Sequence, residues 1–522
     1  MGKFILGIHS GHDASACLMK DNRIICAIAK ERITRKKHDS GEPIECIEYI
    51  LSSYGLNKDD IDLVIRCNWF DSSEINDDYY KHFKNVIIMK NHHLFHAYAA
   101  SLSIDTPESL IVIMDGRGCR PQDNGEKYNN NDLFETESIY LYKNSNIVPL
   151  EKKYSKYYKN KYKWGSYIDS LGYLYSAVSK IIFNDKYAAG KVMALASFGE
   201  KNKCIPSIFT ENKKFAVNNE WLKFANSLEM PIIWNSKIAK DLSYSIQNGL
   251  EEYYSLRIKE IISKYNIKNI ALGGGVALNC KNNGILANNS LVENCSVFCA
   301  SGDDGLSIGA AVWAYRNIFN GKDKILWNIE MGKNYFLNEN KNRDELALNV
   351  ASLLVVNKYV GVVSGGSEYG PRALGNRSIL ANPSQAETKD NLNINIKQRE
   401  VFRPFGGMIL AKNLEKITNE KLASPHMLSA VHVKRDLLQQ VGALTHIDGT
   451  IRLQIIDDTS SLCGKILEKF EELSGNIILL NTSFNAKGEP IVETEEQAIK
   501  CAKNIGLDYI VVGESLLKIV DL

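Results

Sequence analysis

Apolar residues run almost unbroken from Lys3 to Ile8, a length and density that predict a short buried strand. ASACLM and RIICAIAKER follow, separated by Lys20-Asp21-Asn22, and read as a hairpin with its turn at the Asp-Asn pair. Cys46 to Tyr54 has helical spacing, and IDLVIRC (61–67) is strand-like. NVIIMK (85–90) predicts a strand leading into a helix at HHLFHAYAASLS (92–103). SLIVIMDGRG (109–118) is an apolar run that stops at an aspartate and two glycines.

Further along, Ser166–Phe183 and Ser236–Tyr265 carry Leu, Tyr and Ile at three- and four-residue intervals and predict helices. NIALGGG (269–275) followed by VALNCKNNGILANN (276–289) reads as strand, glycine loop, helix. SVFCASGDDGLSIGAAVWAYRNIF (296–319) repeats that order. Recurring strand–loop–helix units behind a hairpin predict an α/β nucleotide-type fold with two related lobes. Around Met331–Asn342 the chain turns polar, as a linker would. A second unit then opens with a helix at Arg343–Leu354 and a strand at YVGVVSGG (359–366). It closes with NIILLNTSFN (476–485), a helix at Glu495–Ala502 and a strand at YIVVGE (509–514). The expected domains are 1–335 and 345–522.

Composition narrows the classes. The 522 residues exceed what one core usually serves, and 44% apolar with 24% charged residues is ordinary for a globular protein. Sixty-three basic against 61 acidic residues leave +2, so no global field favours nucleic acid or anionic membrane, and any anion site must be local. The start MGKFILGIHS lacks a signal peptide's apolar run, Leu6 stands where myristoylation expects Ser or Thr, and no stretch has transmembrane length. A cytoplasmic location without membrane or nucleic-acid partners is expected. The eleven cysteines include no CxxC pair and are expected as buried free thiols.

Candidate chemistry falls in both halves. His92 and His96 share one face of a helix and can grip one metal ion, although an isolated HxxxH is usually an ordinary histidine pair. Asp115 and Asp303 each end an apolar strand beside glycines and can complete a nitrogen–oxygen ligand set. GGGVALN (273–279) lets backbone N–H groups approach a phosphate at a helix start, or is simply a tight turn. His12 beside Asp13 is a candidate general base, since imidazole titrates near neutrality. In the second unit Arg372 and Arg377 lie among glycines, followed by Lys397, Arg399 and Arg403, then His446, Asp448 and Arg452. Three basic segments among apolar strands predict a convergent anion pocket.

Together these segments resemble the NodU/CmcH family of O-carbamoyltransferases, which includes the tobramycin carbamoyltransferase. The resemblance runs through GHDASACL, ERITRKKHD, HHLFHAYAAS, MDGRG, GKVMALASFG, GGGVALN, DDGLSIGAA, YGPRALGNRSILANP, NIKQREVFRPF, THIDGTIRLQ and LNTSFNAKGEPIV, nearly the whole chain. It implies an actin-like (ASKHA) metal-binding N-terminal domain and a twisted α/β C-terminal domain like YrdC. The C-terminal domain would turn carbamoyl phosphate and ATP into carbamoyladenylate, and the N-terminal domain would pass the carbamoyl group to a hydroxyl of a small molecule or glycan. Such acceptors occur in antibiotic, secondary-metabolite and polysaccharide biosynthesis.

By the same resemblance, His92, His96, Asp115 and Asp303 are ligands of a divalent metal, expected to be Fe2+, with Asp304 the alternative to Asp303. His12 is the base. Gly273, Gly274, Gly275 and Asn279 form the adenylate loop. Arg372, Arg377, Lys397, Arg399, Arg403, Arg452 and Asn481 line the carbamoyl phosphate and ATP pocket. The chain departs from the family pattern at Cys119, where an acidic residue is common, at Ala189 for Glu, at Ser367 for Arg, and at Gly406-Gly407 for Ala-Pro. Rival readings are threonylcarbamoyl transfer to tRNA and a non-catalytic carbamoyl phosphate or nucleotide sensor. The acceptor and the oligomeric state are not legible.

Overall fold

The computed structural model of the chain describes residues 2–68, 77–127, 132–210, 216–336 and 342–521. Residues 337–341, the middle of the expected linker, lie outside the described residues. Two compact units are formed, Met1–Met89 with Asp303–Leu522, and Lys90–Gly302. All described elements together make a mixed α/β fold.

In the first unit, β1 (Phe4–Ser10), β2 (Ser15–Lys20), β3 (Arg23–Ala29), β4 (Leu63–Asn68) and β5 (Val86–Met89) form a sheet in the order β3-β2-β1-β4-β5. β1, β2 and β3 are antiparallel neighbours, and β4 and β5 continue in parallel from β1. β1 is buried on both faces, which is why it reads as a continuous apolar run rather than an alternating one. Leu6 and Ile8 pack with Ile47, Ile50 and Leu51 of helix Ile44–Tyr54. On the other face helix Leu306–Asn317 lies so close that a Cβ on Gly7 would stand 2.0 Å from the Ser307 carbonyl oxygen. Only glycine permits that approach.

The second unit is built on β6 (Glu108–Met114), β7 (Leu133–Lys143), β8 (Asn146–Tyr162), β9 (Gly165–Ile168), β10 (Asn269–Gly273) and β11 (Asn294–Val297), in the order β11-β10-β6-β7-β8-β9. β6, β7 and β8 are antiparallel neighbours, while β10 and β11 run parallel to β6. The order and directions of β8-β7-β6-β10-β11 thus repeat those of the first sheet, matching the related lobes expected from the sequence. Helix His92–Ala100 packs on β6, β7 and β10, as Leu306–Asn317 packs on β1, β2 and β4.

One helix begins later than its periodicity predicts. Residues 165–168 pair with β8 instead, and the helix starts at Leu171, where Ser170 accepts a hydrogen bond from the Tyr173 N–H. Tyr158 stacks on Tyr167 and Tyr162 on Trp164, so cross-strand aromatic pairing wins this segment from the helix.

The third sheet, again in the first unit, contains β12 (Val360–Val363), β13 (Arg377–Ala381), β14 (Gly406–Leu410), β15 (His426–His432), β16 (Thr450–Ile456), β17 (Ile478–Ser483), β18 (Tyr509–Val512) and β19 (Ser515–Lys518). Its order is β15-β16-β14-β17-β13-β12-β18-β19. Helices Arg343–Val355 and Leu462–Ser474 cover one face through Val350, Leu354, Ile466 and Phe470. Helix Glu495–Ile505 contributes Ala498, Ala502 and Ile505 to the other core. No helix among the described residues is long and apolar enough to cross a membrane. The eleven cysteines are free thiols, nine of them buried.

Candidate active site

In the second unit, helix His92–Ala100 places His92 and His96 one turn apart, both buried. Asp115 is the first residue after β6. His92 Nε2 lies 3.0 Å from Asp115 Oδ2 and 3.1 Å from His96 Nε2, which is itself 3.9 Å from the same carboxylate oxygen. Three ligand atoms therefore converge. Two imidazoles and a carboxylate form a donor set suited to a first-row divalent ion, so the residues present fit the metal that the family motifs imply.

The second Asp115 oxygen accepts a hydrogen bond from the Gly275 N–H at 3.0 Å. Gly274 supports this with φ +83°, where a Cβ would also come within 2.4 Å of the Met114 carbonyl oxygen. The glycine loop thus orients the Asp115 carboxylate, whose other oxygen faces His92. Asn279 caps helix Cys280–Ala287 by accepting from the Asn282 N–H at 3.0 Å, and it also bonds Gln247. His93 bonds Ser138 Oγ instead, and burial drives its pKa down to about 4. Cys119, at the position where an acid is common, places its thiol 3.0 Å from Glu135, a buried carboxylate from β7.

In the first unit, the loop after β1 carries His12. Its Nδ1 lies 2.9 Å from Asp13 Oδ2, and its Nε2 lies 3.2 Å from Asp303 Oδ2. The other Asp13 oxygen meets His38 Nδ1 at 2.8 Å. Burial pushes the Asp13 carboxyl up, but hydrogen bonds and charge from His12 and His38 outweigh it and hold it well below the usual range. Asp304, the alternative ligand, is different. Burial first, then the charges of Asp13, Glu31 and Asp303, raise its pKa to about 8. The carboxylate that faces His12 is Asp303.

His38 and Asp13 belong to this arrangement and the sequence reading assigned them no role. His38 lies within a recognised motif, but no spacing rule carries it 25 residues back to Asp13.

On the third sheet the predicted cations divide into two sets. Arg377 is fully buried, and its guanidinium donates to the carbonyls of Ser364, Asn376 and Glu493. Lys397 donates to the Ser483 and Asn485 carbonyls and to the Asn485 side chain. Both hold loops. Arg399, Arg403 and Arg452 form the other set. Burial and then the charges of Arg403 and Arg452 hold the Arg399 pKa well below its ordinary value, and burial also lowers Arg403. Glu400, 3.8 Å from Arg403, is the carboxylate beside this set.

Gly406 of β14 pairs with Arg452 on one side and with Asn481 on the other, so these two side chains sit in one row across the sheet. Asn481 donates to Gln454 at 2.7 Å. Arg372 is half-buried in the loop before β13.

The two α/β units carry an imidazole–carboxylate cluster, a histidine between two aspartates and a set of buried arginines. Residues 4–82 and 74–312 match the carbamoyltransferase N-terminus family and residues 351–518 the carbamoyltransferase C-terminus family, so the chain belongs to the carbamoyltransferases of NodU/CmcH type. The nodulation protein NolNO of Sinorhizobium fredii is 27% identical over 97% of this chain and 79% of its own length. The 3'-hydroxymethylcephem-O-carbamoyltransferase of Streptomyces clavuligerus is 29% identical over 63% of this chain and 64% of its own. Among solved structures, full-length HypF in its phosphate- and nucleotide-bound form is similar at a TM-score of 0.40 and 14% identity, covering 60% of this chain and 55% of that one. That likeness is too loose to carry an inference.

Proposed function

We propose that this enzyme is an ATP-dependent O-carbamoyltransferase working in two half-reactions, one in each of the domains expected from the sequence. Residues 345–522, the YrdC-like domain, would let water cleave carbamoyl phosphate to carbamate and phosphate, and the carbamate oxygen would then displace pyrophosphate from ATP to give carbamoyladenylate. Arg399, Arg403 and Arg452 would hold the anionic groups, with Asn481 in the same row, Arg372 at its edge, and Arg377 and Lys397 keeping the surrounding loops in shape. Residues 1–335, the actin-like domain, would carry out transfer. The repeated strand order of its two sheets supports that reading.

His12 carries the proposal. Its half-exposed ring is held at Nδ1 by Asp13, and Nε2 lies 3.2 Å from Asp303 Oδ2; with Asp303 committed to the metal, Nε2 would be the nitrogen offered to the acceptor. It would take the proton of the acceptor hydroxyl as that oxygen attacks the carbamoyl carbon. The carbon–oxygen bond to the adenylate would then break and AMP would leave. Gly273, Gly274 and Gly275, with Asn279, would receive the adenylate, and His92, His96 and Asp115 with Asp303 would hold the metal. Bound there, a divalent ion such as Fe2+ would supply Lewis acidity for the carbamoyl carbonyl or the adenylate phosphate. ATP and carbamoyl phosphate as substrates place the reaction in the cytoplasm.

The test is rescue. Arg452→Ala should lose pyrophosphate release, and supplied carbamoyladenylate should restore carbamoylation of an acceptor. The same compound should leave His12→Asn slower by about a hundred- to ten-thousand-fold. Failure to rescue folded Arg452→Ala protein would refute the two-step route.

A further inference from the structure

We propose that a basic groove in the second unit is the acceptor subsite, and that the acceptor is an anionic sugar, one carrying a phosphate or a carboxylate. This rests on the transfer reading above and adds the class of its second substrate. The groove has a volume of about 560 Å³, the size of a small-molecule site rather than a polymer track. Among the described residues, Arg117, Arg120, Lys156, Lys159 and Lys161 line it with one carboxylate, Asp132. In a chain with a net charge of only +2, that concentration is local.

The groove is also built with ring faces. The Arg117 guanidinium lies 4.6 Å from the Tyr157 ring centroid and 4.9 Å from that of Phe134, and Arg120 lies 5.4 Å from Phe134. Phe134 and Tyr157 hold the guanidinium planes in place, and the part-exposed Tyr157 and Tyr158 add apolar ring surface to the lining that can meet the C–H face of a sugar.

A line of side chains joins the groove to the proposed chemistry. Tyr157 meets Tyr173 edge-on, with ring centroids 6.3 Å apart, and Tyr173 lies against Gly116, where a Cβ would be 3.5 Å from its ring. Gly116 adjoins Asp115, and Arg117 is the next residue. An acceptor anchored by its charge in the groove would therefore have its hydroxyls directed toward the Asp115 end. The arginines sit on the loop that carries a proposed metal ligand, so binding and chemistry are tied through three consecutive residues.

The experiment is equilibrium binding to the full chain of three probes, glucose 6-phosphate, glucuronate and neutral glucose. At least one charged probe should bind, more weakly as salt rises, and glucose at least tenfold less tightly. The double variant Lys159→Glu/Lys161→Glu alters exposed side chains only and should weaken the charged probe about ten- to a hundredfold. Repeating the measurement in Arg452→Ala protein excludes the arginine cluster of the third sheet as the place of binding, and the signal should survive there. Equal binding of glucose, unchanged binding in the charge-reversed variant, or loss in Arg452→Ala would each overturn the proposal. So would a single-stranded RNA that binds more tightly than either charged sugar and is lost in the same double variant. No turnover is needed, so a missing pyrophosphate exchange would sink the transfer reading without touching this result.

Discussion

In the sheet of residues 4–89, antiparallel β3-β2-β1 continues into parallel β4 and β5; in the sheet of residues 108–297, β8-β7-β6 continues into β10 and β11 in the same senses. Helix Leu306–Asn317 lies across β1, β2 and β4 of the former, and helix His92–Ala100 across β6, β7 and β10 of the latter. At the junction of first strand and helix start, both place histidine against aspartate, with the parts exchanged. The first sheet has the histidine on the strand loop (His12) and the aspartate at the helix start (Asp303). The second has the aspartate on the strand loop (Asp115) and histidines on the helix (His92 and His96).

Burial then separates their chemistry. The His12 side chain is 41% exposed and lies between two carboxylates, Asp13 and Asp303. The His92 and His96 side chains are 1% exposed and their Nε2 atoms lie 3.1 Å apart. One frame thus carries a half-exposed histidine in one copy and a buried histidine pair in the other, which is the contrast that the proposed base and the proposed metal set rest on.

That contrast can be broken most directly by exchanging the readouts. His96→Ala should lose essentially all bound metal by elemental analysis, whereas His12→Asn should keep its metal and lose transfer. Metal loss in both variants would mean that the two junctions are not chemically distinct. A smaller effect is expected at the packing that creates the first junction. Gly7→Ala should destabilise the fold by about 2–3 kcal/mol, measured by urea unfolding, because the added methyl meets helix backbone that cannot retreat alone. A wild-type-like midpoint would show that the helix is not seated on β1.

The smallest effect serves as a calibration outside both copies. Burial lowers the His426 pKa on β15 to about 4, below its unfolded value near 6.5. The unfolded chain therefore takes up a proton first. His426 is neutral in both states above pH 6.5, and stability is lost as pH falls from there toward 4. The loss should reach about 2 kcal/mol by pH 5, and His426→Gln should remove that part of the pH dependence. Equal slopes in both proteins would refute the burial argument for a lone histidine.

The long periodic elements were legible. Ser236 to Tyr265, the hairpin around Asp21 and the NIALGGG strand stand where the pattern puts them: the first two satisfy their backbones locally, and the third is marked by an apolar run ended by glycines although its partners, β6 and β11, lie elsewhere in the sequence. β7 and β8 were not, since β8 is rich in lysine and tyrosine and its register depends on a partner strand rather than on its own alternation. The same reason hid the groove. Arg117 and Lys159 lie far apart in sequence and become neighbours only through the arm that β8 forms.

What the chain alone determined was which residue types are available and where local structure begins and ends. HxxxH on an apolar helix set two imidazoles on one face, and GGG after an apolar strand set a turn that side chains would block. What tertiary structure decided was which of these groups meet and with what charge. Asp13 joining His38 to His12, Gly275 aiming Asp115, and Arg377 committed to carbonyls while Arg399 and Arg452 crowd each other all depend on burial and on contacts between distant segments. Solvation and neighbouring charge set what an ionisable side chain does, and neither is a property of the sequence position itself.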